Sequence, residues 1–98
     1  MGQVAHIRYD GGAMLLPAQD PYDREVVFEE AECCARRHGS VGVQVGRKEL
    51  RISISPNPND TRVPCGECRH PVGLMSFIIE RHRVCAHCAK RYLGVREQ

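Results

Sequence analysis

The 98-residue sequence predicts an α+β protein: a small ββαββ unit in which one helix covers an antiparallel sheet, followed by a zinc-stabilised module. Three observations carry this reading. Residues 4–16 and 41–54 alternate apolar and polar side chains with period two, as half-buried strands do. Residues 24–38 repeat apolar side chains at helical spacing. Four cysteines, Cys65, Cys68, Cys85 and Cys88, stand as C-x2-C-x16-C-x2-C.

In "VAHIRYDGGAMLL" (4–16), Ala5, Ile7 and Tyr9 point one way and His6, Arg8 and Asp10 the other, with "DGG" as the turn of a β-hairpin. "PAQDPYD" (17–23) reads as a loop because of its two prolines. "REVVFEEAECCARRHG" then has acidic residues early, Arg36, Arg37 and His38 in its last turn, and Gly39 as a stop. That order suits the helix dipole, and Val27, Phe28, Ala31, Cys34, Ala35 and His38 share one face. "VGVQV" (41–45) and "LRISI" (50–54) form a second hairpin across "GRKE", with Val41, Val43 and Val45 facing Leu50, Ile52 and Ile54. The domain reading is therefore an α+β unit over 1–55, a Pro/Asn/Asp-rich linker over 56–61, and a four-cysteine module over 62–98.

The two-residue spacers let two tight turns aim four sulfurs at one ion, and soft thiolates in a closed tetrahedron favour Zn2+. Gly66 supplies the freedom the first turn needs. Four cysteines leave no coordination site for water, so a single structural zinc is expected rather than a catalytic one. A redox dithiol at "CGEC" and structural disulfides are the alternatives. The first should follow a strand of a larger βαβ fold, and the second suits an oxidising compartment. A segment of 37 residues rarely holds a fold without a metal, a disulfide or a partner.

Between the pairs, "PVGLMSFIIERHRV" suits a short hairpin; after them, "AHCAKRYLG" suits a short helix closed by Gly94. Knuckle, hairpin and a helix opened by the second cysteine pair resemble the treble-clef zinc fingers, and "RVCAHCAKRYL" resembles their GATA-type members. The resemblance spans about residues 62–94. It implies a structural zinc and DNA contact through the helix and its neighbouring loops.

Residues 1–61 hold seven Lys/Arg against nine Asp/Glu, a net −2, and residues 62–98 hold seven against three, a net +4. Arg81, Arg83, Lys90 and Arg91 are the candidate contacts to DNA or RNA, although stacking aromatics are scarce. Leu74, Met75, Phe77 and Ile78 are the candidate surface for a protein partner, since their apolar content exceeds what a lone knuckle buries. The expected function is a regulatory or adaptor module that binds another protein, with nucleic-acid binding as the alternative. No nucleotide-binding glycine motif, phosphate loop, HExxH or G-x-S-x-G is present, so neither an enzyme nor a small-molecule substrate is expected. The absence of an apolar membrane span and of a signal-peptide layout predicts a cytoplasmic protein. Cys34 reads as a core residue, Cys33 as a border residue, and His70, His82 and His87 as neighbours of the metal rather than its ligands. Glu25, Glu29, Glu30 and Glu32 read as a solvated helix face.

Overall fold

A computed structural model describes residues 3–54 and 75–95. The linker at 56–61, Cys65, Cys68, His70 and Leu74 lie outside them. The described chain is α+β: strands β1 (Val4–Tyr9) and β2 (Gly12–Pro17), helix α1 (Pro21–His38), strands β3 (Ser40–Val45), β4 (Lys48–Ile54), β5 (Met75–Ile79) and β6 (His82–Val84), and helix α2 (Ala86–Leu93).

The six strands form one antiparallel sheet in the order β2-β1-β3-β4-β5-β6. Both β2 and β3 run antiparallel to β1, so they are parallel to each other, and α1 crosses over β1 to connect them. Residues 75–84 extend this sheet instead of forming a separate one: β5 pairs with β4 through Arg51↔Ile78, Ile52↔Phe77, Ser53↔Ser76 and Ile54↔Met75. The predicted unit over 1–55 and the hairpin of the predicted module therefore share a sheet.

The alternation in each strand sends one set of side chains beneath the helices. Ala5, Ile7, Val41, Val43, Leu50, Ile52, Phe77 and Val84 are buried there, against Val27, Phe28, Ala31 and Ala35 of α1 and Ala89 and Leu93 of α2. α1 packs on β1 to β4, and α2 packs on β4 and β5 and touches α1. The Phe28 and Phe77 rings stack at 5.4 Å, worth about 1 kcal/mol beyond the area they bury. This contact joins α1 to a strand that the sequence assigns to another module.

α1 begins earlier than the two prolines suggest. Pro21 occupies the first turn, where its missing N–H costs nothing, and the Asp20 carboxylate accepts from the Asp23 N–H at 2.8 Å. The helix ends at Gly39, in the left-handed conformation at φ 85°. His38 is exposed rather than buried, and stacks on Tyr9 with 4.6 Å between ring centres.

α2 ends in a Schellman motif: the Val95 N–H donates to the Lys90 carbonyl, and the Gly94 N–H to Arg91. The next two carbonyls accept from cations of the first 55 residues. Lys48 Nζ donates to Tyr92 O at 2.9 Å, and Arg24 Nη1 to Leu93 O at 3.4 Å. Arg24 also donates to the Ala18 carbonyl and to Gln3 Oε1. Both cations also oppose the negative end of the helix dipole. No helix among the described residues is long and apolar enough to cross a membrane.

Candidate functional site

Two of the four predicted metal ligands are described. Cys85 is the N-cap of α2, with extended backbone at φ −80° and ψ 168°, and Cys88 lies in the first turn, 8% exposed. Three residues apart at a helix start, they share one side of the helix. The other two, Cys65 and Cys68, lie outside the described residues. His87, between the described pair, is exposed, as is His82 at the β5–β6 turn.

The central residue of the predicted protein-docking strip is interior. Phe77 is 2% exposed and part of the core, Met75 and Ile78 are half-buried, and Leu74 lies outside the described residues. The reason is the pairing of β5 between β4 and β6, which covers both of its edges and sends Phe77 under the helices. Phe77 is therefore a core residue of this sheet.

The predicted basic residues divide between the two faces of the molecule. Lys90 and Arg91 are on α2, over the helical layer, where Lys90 Nζ sits 5.4 Å above the Phe28 ring. Arg83 lies on the opposite face, which is helix-free among the described residues, and Arg81 is in the turn at that end of the sheet. Glu80 and Arg81 both take positive φ, 49° and 72°, so the two-residue connection between Ile79 and His82 has the signs of a type I′ turn built without glycine or asparagine. Each residue is strained by about 1 kcal/mol.

The helix-free face carries an arrangement that the sequence reading did not single out. Its pairings run Ala13↔Arg8, Arg8↔Gly42, Gly42↔Arg51, Arg51↔Ile78 and Ile78↔Arg83. Arg8, Arg51 and Arg83 thus lie in one row across the sheet, each separated from the next by a neutral residue. At the usual strand spacing, consecutive arginines stand about 10 Å apart at the backbone. That distance limits their mutual repulsion to about 0.4 kcal/mol per pair in water, before screening. Among the described residues none of them has an ion-pair partner, the one salt bridge being Glu32 to Arg36 on α1.

A groove of about 440 Å³ lies over the Arg8–Gly42–Arg51–Ile78 part of this row, lined also by His6 and Arg81 and by the carboxylates Glu49 and Glu80, and Arg83 is outside its lining. The aromatic rings of Tyr9, Phe28 and Phe77 are all on the helix side, so the face offers charge and hydrogen-bond donors without a stacking platform. Each arginine could be placed on the open face from its own strand's alternation. Their alignment into a row depends on strand order and register, which pair β1 with β3 and β4 with β5.

On α1, Cys33 is exposed and Cys34 buried, matching the border and core readings. Burial pushes the Cys34 thiol up from its ordinary value, with Glu30 adding to the shift and Arg37 opposing it. Compared with family models, curated proteins and solved structures, the chain matches none.

Proposed function

We propose that this protein is a nucleic-acid-binding module that holds phosphates on the helix-free face of its sheet, and that its zinc is structural. The observation that carries the reading is the row Arg8, Arg51 and Arg83, three guanidiniums on one face without ion-pair partners among the described residues. Guanidiniums match phosphate geometry with two parallel donors, and each phosphate neutralised releases condensed counterions. The scarcity of aromatics on this face favours grip on the backbone over base stacking. Protein docking through Met75, Phe77 and Ile78 is disfavoured because its central residue belongs to the core.

Cys65, Cys68, Cys85 and Cys88 are proposed to hold one Zn2+. The start of α2 fits this role, with two sulfurs one turn apart on a helix anchored by Ala89, Leu93 and Val95 in the core. The ion supplies a covalent-strength crosslink between residues 65–68 and α2; it takes no part in chemistry.

Fluorescence anisotropy with labelled oligonucleotides over a salt series tests the function. Affinity should fall steeply with salt, replacing Arg8, Arg51 and Arg83 by Glu should abolish binding, and replacing them by Ala should weaken binding and flatten the salt slope by about 2 to 3. Binding that is insensitive to salt and to these substitutions refutes the reading.

A further inference from the structure

We infer that Gly42 is the floor of a seat for one backbone phosphodiester of a nucleic-acid strand, held between Arg8 and Arg51. The inference rests on the nucleic-acid reading above and names where on the face a phosphate is held. Gly42 is the middle residue of its row, paired with Arg8 on one side and with Arg51 on the other. A Cβ built there meets nothing within 4 Å, so the space above the backbone is open. Two grooves meet at this point, one toward His6, Gln44 and Glu49, the other toward Tyr9, Asp10 and Ser40, and both are lined by Arg8, Gly42 and Arg51.

Neither local backbone geometry nor packing accounts for a glycine at this position. Its φ is not positive, unlike those of Gly11, Gly39, Gly46 and Gly94, and no neighbour would collide with a side chain. Glycine inside a strand weakens it, and one recurrent reason for its presence is close approach of a ligand to the backbone. With arginines on both flanks, that ligand is an anion.

The charges nearby narrow the class. Glu49 and Glu80 line the first groove and Asp10 the second. These carboxylates disfavour a small ligand of high charge density, such as a free phosphate monoester or a nucleoside triphosphate. A phosphodiester carries one negative charge, presents two oxygens to two guanidiniums, and continues along the strand toward Arg83.

The test is Gly42→Val, which fills the seat, leaves net charge unchanged and suits a strand. With a labelled oligonucleotide of roughly 20 nucleotides, long enough for several site sizes, affinity should fall about tenfold or more while thermal stability holds or rises. In parallel, the Gly42 amide of the unmodified protein should shift in NMR spectra on oligonucleotide addition, and should not shift with inorganic phosphate at the same phosphate concentration. Oligonucleotide binding by Gly42→Val equal to that of the unmodified protein overturns the seat and leaves the nucleic-acid reading standing. A Gly42 amide that responds equally to inorganic phosphate overturns the phosphodiester assignment. Absence of oligonucleotide binding by the unmodified protein overturns the function and the seat together.

Discussion

Truncating Phe77 to Ala tests whether the chain on both sides of residues 55–74 folds as one cooperative body. Phe77 is 2% exposed, pairs with Ile52 and Val84 on the flanking strands, and stacks on Phe28 of α1. Removing the ring loses its transfer free energy, leaves a cavity and unpairs the stack, a cost of about 4 kcal/mol. A domain of this size loses about 4–8 °C per kcal/mol, so the melting temperature should drop by roughly 16–32 °C. In urea, with a slope of about 2 kcal/mol per molar, the midpoint should move down by roughly 2 M. The assay is a urea titration followed by NMR, reading Ile7 and Val43 for the first half and Val84 and Leu93 for the second. All four should move to the same new midpoint. A loss below about 1 kcal/mol, or Ile7 and Val43 keeping their original midpoint while Val84 and Leu93 lose theirs, refutes a shared core. Ile78→Ala is the control: the side chain is half-buried on the helix-free face of the same strand, and should cost about 1 kcal/mol.

Gly94→Ala and Gly39→Ala both place a side chain in a left-handed cap, at a shared cost of about 1 kcal/mol. Only the new Cβ at 94 meets the Arg24 guanidinium, so thermal melts should show Gly94→Ala as the more damaging by about 1–2 kcal/mol. Replacing Glu80-Arg81 by Asn-Gly should stabilise the fold by about 1–2 kcal/mol in chemical denaturation by relieving two positive-φ residues, while removing Arg81 from the groove. Stringent chelation should release one equivalent of zinc, measured by elemental analysis, and lower the melting temperature; intact protein without metal and with an unchanged melt refutes the proposed site. Iodoacetamide should modify Cys33 well before Cys34, read by peptide mass spectrometry. Because burial holds the Cys34 thiol above 9.0, its contribution to stability is present at neutral pH and is lost as pH rises through the folded-state value.

The elements were readable wherever one physical signal dominated locally. Alternation in "VAHIRY" and "LRISI" identified the strands and their buried sides, and Gly39 and Gly94 marked both helix ends. The start of α1 was hidden because Pro21 is read as a breaker in isolation, whereas at the first turn it is compatible with the helix. Long-range pairing was the larger omission. The apolar excess of "LMSFII" was visible and suggested a surface, but that excess serves a strand paired on both edges, a fact that depends on β4 being next to it. The candidate site followed the same limit. Arg83 was singled out and Arg8 and Arg51 were not, since only the assembled register puts all three in line.

The two cations at the end of α2 alter what kind of part the C-terminal third is. Lys48 and Arg24 complete the hydrogen bonding of α2 at carbonyls 44 and 69 residues downstream of them, and β4 and β5 satisfy each other's backbone groups. A C-terminal segment excised at residue 55 would lose both, and the remaining chain would present β4 as a raw edge beside an uncovered Ile52 and Phe28, the kind of border along which chains aggregate. The two fragments should therefore recognise each other and reassemble when mixed. The segment from residue 75 onward is therefore an integral half of this fold, and it is not a transplantable cassette.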